Sequence, residues 1–355
     1  MTQPLVSVCM PAFNAGRFID EAISSLLSQT FRDFELLIVD DGSSDETLNI
    51  AERHAASDNR VKVLQNNRNR GLVYTRNRLL KAASGSLIAS ADADDVFAHT
   101  RLQQQVDFMS AHADIGVVGG NVQFRDEAGK AIREPSNLDQ ADAAIRFFLM
   151  LGPCIWNTVT VYRKELLCKV GGYQDGLDGG AEDYDLWCRL SKITKFANLK
   201  SILATVHVHE ASVTANEDAT TSNIYDIARP MLSEYLGRDI ARDDAKDLIL
   251  LFWNGLGTRT DFSNVLELAR ALNRVAAERE SPNTYGLLKQ RMHDALWKQG
   301  QAEVYANPRQ SLDAIRFALT LRPVGFAKAS FAKYLARLAT PDWIRSAVKS
   351  RRGSL

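Results

Sequence analysis

Four short apolar runs, each closed by a polar turn and parted from the next by residues at helical spacing, constrain this chain's fold more than any other feature. Val6-Ser7-Val8-Cys9-Met10 is rich in β-branched residues and is stopped by Pro11. Phe34 to Val39 ends in Asp40-Asp41-Gly42-Ser43-Ser44-Asp45, a turn that leads into a helix N-cap. A third run covers 61–64, and the fourth, 87–91, passes straight into Asp92-Ala93-Asp94-Asp95. Ile19, Ala22, Ile23, Leu26 and Leu27 recur at helical spacing and predict a helix over about 17–29. Further helices are expected up to about Ala56 and over 72–83. This alternation predicts an α/β fold with a mostly parallel sheet covered by helices on both faces. In such sheets ligands bind beyond the carboxyl ends of the strands. Those ends carry Pro11-Ala12-Phe13-Asn14, Asp40-Asp41-Gly42 and Asp92-Ala93-Asp94-Asp95, and all three point at one crevice.

Past the fourth run the order loosens. A strand is predicted over 117–124, a helix near 141–151, a mixed stretch over 155–161, a helix opening near Glu182 and a last strand over 202–209. From about Asp218 the periodicity is helical: Leu248, Leu250, Leu251 and Phe252, then Val265, Leu266, Leu268 and Leu272, suit packed helices. The expected organisation is one α/β domain over 1–217 and a mainly helical C-terminal domain with a basic tail over 218–355. A chain of 355 residues accommodates both.

Lysine plus arginine equals aspartate plus glutamate at 43 each, so no bulk charge draws the chain to nucleic acid. Cys9, Cys154, Cys168 and Cys188 show no C-x-x-C spacing and lie in or beside apolar stretches. They are read as reduced packing residues of a cytoplasmic protein, not as a zinc site or disulfide set. The first apolar run is too short for a signal peptide, and no stretch reaches the roughly 18–20 apolar residues that span a bilayer. A soluble or peripheral protein is expected.

The chemistry sits at the strand ends. Three carboxylates delivered by one buried strand suit a hard cation such as Mg2+ or Mn2+, because crowded Asp oxygens repel one another without one. The other reading makes Asp94 or Asp95 the N-cap of a helix near Arg101. Asp41 has the chemistry to accept a hydrogen bond from a base edge, or to form the turn and cap a helix. Neither G-x-G-x-x-G nor G-x-x-x-x-G-K-[ST] occurs, which excludes a dinucleotide fingerprint and a P-loop. Arg70 and Arg76 flank a helix start at Gly71, a combination that suits a diphosphate and equally a solvated basic face. Glu182 and Asp183 open an amphipathic helix after Gly179-Gly180. A carboxylate there suits a general base, and simple charge decoration of a helix N-terminus accounts for it as well. His207 and His209 alternate on the last strand, as structural residues or as ligands to the acidic site.

Taken in order, these segments resemble the family 2 glycosyltransferases of the GT-A fold. The matching residues are Val6 to Asn14, Ser28-Gln29-Thr30-Phe31, Phe34 to Asp45, Asn69-Arg70-Gly71, Arg76-Asn77, Asp92-Ala93-Asp94-Asp95, Gly171-Gly172-Tyr173 and Glu182-Asp183. They cover roughly residues 4–215. The resemblance implies an inverting enzyme that uses a nucleotide-sugar donor, a UDP-sugar by default, with Mn2+ or Mg2+ on the diphosphate. Asp94 would ligate the metal, Asp92 would touch the ribose or the metal shell, and Asp41 would read the base. Pro11, Ala12, Phe13 and Asn14 would line the nucleotide pocket, and Arg76 would offset diphosphate charge. Asp183 would be the base, with Glu182 orienting the acceptor. The usual Tyr-Arg-x-His pattern reads Val206-His207-Val208-His209 here, so His209 keeps the histidine as a candidate ligand and His207 stands where arginine is common.

The acceptor implied is a glycan, lipid-linked or cell-envelope hydroxyl. In the C-terminal segment Phe326, Phe331, Tyr334 and Trp343 mix with Lys328, Lys333, Arg337 and Arg345. That composition suits peripheral contact with the inner face of the plasma membrane, or a helix packed on its own domain. Two alternatives stand beside the transferase reading. One is a catalytically silent nucleotide- or glycan-binding module. The other is a sugar-nucleotide pyrophosphorylase, which would want a Gly-rich basic loop where Pro11-Ala12-Phe13-Asn14 stands.

Overall fold

The apolar runs assemble into a single nine-stranded sheet in the computed structural model of the chain, which describes residues 3–126, 128–177, 180–208, 217–253, 262–303 and 307–321. The chain runs β1 (Val6–Ala12), α1 (Ile19–Leu27), β2 (Phe34–Asp40), α2 (Thr47–Ser57), β3 (Val61–Gln65), α3 (Leu72–Ala82) and β4 (Leu87–Ser90). It continues through β5 (Val96–Phe97), α4 (Arg101–Ala111), β6 (Ile115–Arg125), β7 (Ala131–Arg133), α5 (Asp142–Leu149), a 3-10 turn (Asn157–Val159), β8 (Val161–Arg163) and α6 (Lys164–Lys169). Then come α7 (Glu182–Leu190), β9 (Lys195–His207), α8 (Glu217–Leu236), α9 (Arg242–Trp253), α10 (Ser263–Arg279), α11 (Pro282–Glu303) and α12 (Pro308–Leu321).

The strand order is β3-β2-β1-β4-β8-β6-β9-β5, with β7 beside β6. The first four strands pair in parallel, and β9 pairs in parallel with β6. β8 is antiparallel to both β4 and β6, so β6 and β9 point the same way as β1. Only β5, β7 and β8 run against the rest, so the sheet is mostly parallel, as the alternation predicts. Strands 1 and 2 are buried along almost their whole length, which is why they read as continuous apolar runs rather than alternating ones. The helical stripe Ile19, Ala22, Ile23 and Leu26 packs into the same core as Val8, Leu36, Ile38 and Ala89. The last strand begins at Lys195, well before the expected 202, because β6 continues to pair with it through three register shifts. Cys9, Cys154 and Cys188 are buried, as expected of packing residues, whereas Cys168 is exposed on α6.

Two compact units divide the chain, residues 1–227 and 228–355, with the division falling inside α8. In the second unit the expected helices are present, and Leu248, Leu266, Leu272, Met292, Leu296 and Ile315 are fully or almost fully buried. No helix among the described residues is long and apolar enough to cross a membrane. The basic and aromatic segment over 322–355, expected as a membrane contact, lies outside the described residues.

The amino ends of the strands are tied by one buried carboxylate. Glu35 Oε1 accepts from Ser7 Oγ at 2.6 Å, from the Ser84 amide at 2.8 Å and from the Ser84 hydroxyl, and Oε2 accepts from Lys62 Nζ at 2.7 Å. Ser7 Oγ in turn accepts from the Gly85 amide at 2.8 Å, so β1, β2, β3 and the α3–β4 turn share one knot. Burial alone would raise this acid, but the donors outweigh it and hold Glu35 down at about 2. A depressed folded pKa contributes stability above the ordinary value near 4.5, and that stability is lost as pH falls toward 2. Glu35→Gln should therefore cost about 2 kcal/mol at neutral pH. In urea melts the gap to the unsubstituted protein should close as pH falls from 5 toward 2, and a gap that does not change with pH would refute the assignment.

Candidate active site

Two loops at the carboxyl ends of β1 and β2 are locked together. Asn14, at φ 49°, receives its place from both directions. Its amide donates to Ser43 Oγ at 2.9 Å, and its Oδ1 accepts from the Ser44 amide at 2.9 Å. The Asp41 amide donates to the Ala12 carbonyl at 2.8 Å. Ala12 is buried, whereas Phe13 is 47 % exposed and stands out at the rim. Pro11 lines a cavity of about 10 Å³ with Arg76, Asp92 and Tyr173, room for a single water.

Asp41 is buried, and its carboxylate is engaged on one side by the loop after β3. Oδ1 accepts from Asn66 Nδ2 at 2.6 Å and from the Arg70 amide at 2.8 Å, and Oδ2 accepts from the Gly71 amide at 2.9 Å. Each carboxylate oxygen has two lone pairs, so Oδ2 keeps acceptor capacity beyond these bonds. The loops approach so closely that a Cβ on Gly42 would lie 2.6 Å from the Arg68 backbone, and Gly42 also has φ +74°. Asp41 is thus neither the cap of α2, whose first amide at Thr47 is capped by Asp45 Oδ1 at 3.0 Å, nor a solvated turn residue.

The acidic segment after β4 meets the helix opening at Glu182. Arg76, on the buried face of α3, donates from Nη1 to Glu182 Oε1 and from Nη2 to Asp92 Oδ1 at 3.4 Å. Its guanidinium carbon lies 5.5 Å from the Tyr173 ring. Asn77, one residue on, clamps the Tyr173 backbone through both ends of its amide, at 3.0 and 2.8 Å, which gives the Arg76-Asn77 and Gly171-Gly172-Tyr173 segments a shared physical purpose. Burial pulls Arg76 down, but Glu182, Tyr173, Asp92 and Asp183 more than offset it and hold the guanidinium charged. The α7 helix is entered through Ala181 in the left-handed region at φ 76°, a costly conformation for a residue with a Cβ. This entry places Glu182 and Asp183 in the first helical turn. Asp183 Oδ1 accepts from the Tyr184 amide at 2.7 Å. Burial first, and the charge of Glu182 second, push Asp183 up to about 7.

Asp92 is likewise pushed up to about 6 by burial, against the pull of Arg76 and with the push of Asp94 and Glu182. Asp95 is fully enclosed and raised well above the carboxylate range by burial and by Asp94 and Asp92. Neither Asp94 nor Asp95 caps the next helix, because α4 begins at Arg101 with Thr100 as its N-cap. Asp95 Oδ1 instead accepts from the His207 amide at 3.3 Å, and the His207 ring donates from Nδ1 to the Asp94 carbonyl at 2.7 Å. A carbonyl only accepts, so this bond assigns the proton to Nδ1 and leaves Nε2 as the basic nitrogen. The end of β9 thereby clamps the 92–95 turn. His209 lies outside the described residues.

Two contributors escape the sequence reading. Arg101 is fully buried behind the turn, donating to the Ser90 carbonyl at 2.6 Å and to Gln105 Oε1 at 3.1 Å. Burial lowers it to about 9, against the charges of Asp92 and Asp95. Thr158 Oγ1 accepts from the Asp92 amide at 3.3 Å. Helical spacing at Arg101, Gln105 and Met109 marks a buried face, but nothing in it says that the arginine lies behind the acids. The structure therefore gathers Arg76, Asp92, Glu182 and Asp183 at one place, beside the turn that carries Asp94, and sets Asp41, Ala12 and Asn14 in the adjoining loops.

Residues 7–171 match the family described as Glycosyl transferase family 2. EpsE of Bacillus subtilis is 33 % identical over 194 residues, 52 % of this chain and 66 % of that protein, so the chain spans just under two thirds of this relative. The UDP-Glc:alpha-D-GlcNAc-diphosphoundecaprenol beta-1,3-glucosyltransferase WfgD of Escherichia coli is 29 % identical over 248 residues, 68 % of this chain and 90 % of that one. Among solved structures, S. aureus TarS 1–349 in complex with UDP-GlcNAc superposes with a TM-score of 0.53 at 21 % identity. It covers 91 % of this chain and 93 % of that one. The mannosyltransferase PcManGT of Pyrobaculum calidifontis, in complex with GDP-Man and Mn2+, gives 0.53 at 17 % identity, over 92 % and 89 %. These likenesses show a shared fold. Independently of them, the family match over residues 7–171 and the curated relatives identify that segment as a family 2 glycosyltransferase region.

Proposed function

We propose that this glycosyltransferase moves a sugar from a nucleotide-sugar donor, a UDP-sugar by preference, to a hydroxyl of a glycan, lipid-linked or cell-envelope acceptor, inverting the anomeric centre. The observation that carries this reading is the Arg76 bridge, which joins the Asp92 segment to the Glu182-Asp183 segment. A donor-side acid and an acceptor-side base must sit on opposite flanks of one anomeric carbon for a single in-line displacement. The relatives support the substrate class: WfgD is named for transfer from UDP-Glc to a diphosphoundecaprenol-linked sugar, and the TarS structure holds UDP-GlcNAc.

The residues present fit a hard divalent cation. Burial first, and the neighbouring acids second, raise Asp92 and Asp95, and a cation beside them would relieve the repulsion between the acids. Asp94 and Asp92 would hold Mn2+ or Mg2+, with His209 the further ligand expected from sequence. No three His, Cys, Asp or Glu side chains form a closed ligand set among the described residues. Bound there, the ion supplies neutralisation of the charge that grows on the departing nucleoside diphosphate.

The chain's own groups do the rest. Asp183 takes the proton of the attacking acceptor hydroxyl, using the oxygen not held by the Tyr184 amide. Its raised pKa makes it a stronger base than an ordinary Asp while leaving it ionised above about 7. Arg76, enclosed between Glu182 and Asp92, holds both carboxylates in register and opposes the rise of Asp92; direct neutralisation of the diphosphate was the role expected of it from sequence. The loops after β1 and β2 receive the nucleotide, with Asp41 as the acceptor for a base edge. One displacement suffices, and no enzyme nucleophile is needed.

The first test is nucleoside-diphosphate release from UDP-, GDP- and dTDP-sugars with Mn2+, with and without EDTA. Cleavage of one donor that is lost with EDTA and in Asp94→Ala is the expected result, and absence of binding to every donor would sink the reading. Asp183→Asn should lower turnover by about 10²–10⁴-fold while nucleotide affinity is retained. Because the protonated form of Asp183 prevails below about 7, kcat/KM should rise through an apparent pKa near 7 as pH increases. Glu182→Gln should move that midpoint down, and an unmoved midpoint would remove Asp183 from the base role. Arg76→Gln strands the buried Glu182 carboxylate and should cost about 3 kcal/mol in chemical denaturation.

A further inference from the structure

In the helical unit, arginines are generally partnered: Arg238 lies 3.8 Å from Glu267, Arg229 3.5 Å from Asp239, and Arg279 donates to the Tyr235 carbonyl at 2.8 Å. Three arginines without a carboxylate partner among the described residues share one groove. Arg270 and Arg274 are one turn apart on α10 and Arg316 is on α12, and together they line a groove of about 400 Å³. Among the described residues no carboxylate lies within ion-pair distance of any of them, and Asp313 is the one acid in the lining.

The groove has a firm frame. The Phe262 amide, at the start of α10, donates to Gln310 Oε1 on α12 at 2.8 Å. Ser311 Oγ donates to the Gly300 carbonyl at 2.6 Å, and a Cβ on Gly300 would lie 2.7 Å from Ile315, so α12 is seated hard on α11. Arg270 is half-buried, with its guanidinium carbon 5.5 Å from the ring of buried Phe317, a contact that limits the freedom of the head group. Three like charges converging without partners repel one another, a cost that an anionic ligand removes.

We propose that this groove binds an acidic glycan chain, one bearing phosphate or carboxylate groups, as part of the acceptor; the inference rests on the reading of the chain as a glycosyltransferase. The guanidinium forks take the anionic groups in bidentate fashion. Asn273, Asp313 and Thr320 offer both donors and acceptors for sugar hydroxyls, and the volume falls within the roughly 300–1,000 Å³ of sites that enclose small ligands. A membrane surface fits less well. No large hydrophobic side chain is exposed on α10, α11 or α12 among the described residues, so a bilayer finds no apolar anchor there.

The test uses the full chain and calorimetric binding of two acidic oligomers, oligogalacturonate and oligo(glycerol phosphate), beside neutral dextran and phosphatidylglycerol vesicles. One or both acidic oligomers should bind, more weakly as salt rises, with dextran silent. Which oligomer binds separates carboxylate from phosphate recognition. Arg270→Gln/Arg316→Gln should weaken that binding by roughly tenfold or more and leave UDP binding unchanged. Arg274→Gln, at an exposed position, gives the same reading should the double variant unfold. Equal binding by parent and variants, no binding of either acidic oligomer, or a loss confined to vesicles would each overturn the proposal. A protein that binds donor yet ignores acidic oligomers refutes the groove alone, whereas one that binds no donor refutes the transferase reading.

Discussion

A guanidinium buried between two carboxylates is the interaction on which the rest of the site depends. Arg76 is only about a tenth exposed, and so is its partner Glu182 or less. A lone charge in either place would be costly, and the pair is tolerable because each neutralises the other and Asp92 takes the remaining donor. The consequence reaches beyond stability. The α3 helix, the end of β4 and the start of α7 are each anchored by one member of the triad, so none can shift without stranding a charge.

The same economy explains the protonation pattern. Burial lifts Asp92, Asp95 and Asp183 above ordinary carboxylates, and the acids lift one another further. Arg76 and the enclosed Arg101 are the positive charges set against them. The clamp from His207, through its amide to Asp95 and its ring to the Asp94 carbonyl, fixes the turn's backbone rather than its charge. A turn held this firmly presents its carboxylates in a fixed geometry, a requirement for a site that gathers a diphosphate and a cation.

Much of the α/β unit was legible from periodicity because its strands are buried on both faces and its helices carry one apolar stripe each. What escaped has physical causes. The two-residue β5 and the three-residue β7 are too short for any period to register, and β8 follows a 3-10 turn that blurs its start. The early start of β9 at Lys195 was hidden because that strand carries exposed lysines and its pairing to β6 slips register three times. In the site, Asp92, Asp94, Glu182 and Asp183 were visible as acids at element ends. The hold of Asp41 on the 66–71 loop was not, since backbone amides leave no mark on a sequence.

By itself the sequence determined the alternation of elements, the delivery of acids to the carboxyl ends of the strands and the family 2 glycosyltransferase motifs, because these follow from local periodicity and ordered motifs. Tertiary structure alone decided that Arg76 faces Glu182 and Asp92, and that His207 braces the acidic turn. It alone placed Arg101 behind that turn, and gathered Arg270, Arg274 and Arg316 of the helical unit along one groove. Such pairings join residues far apart in the chain, and only the packing of helices against a twisted sheet, or against one another, sets which side chains meet.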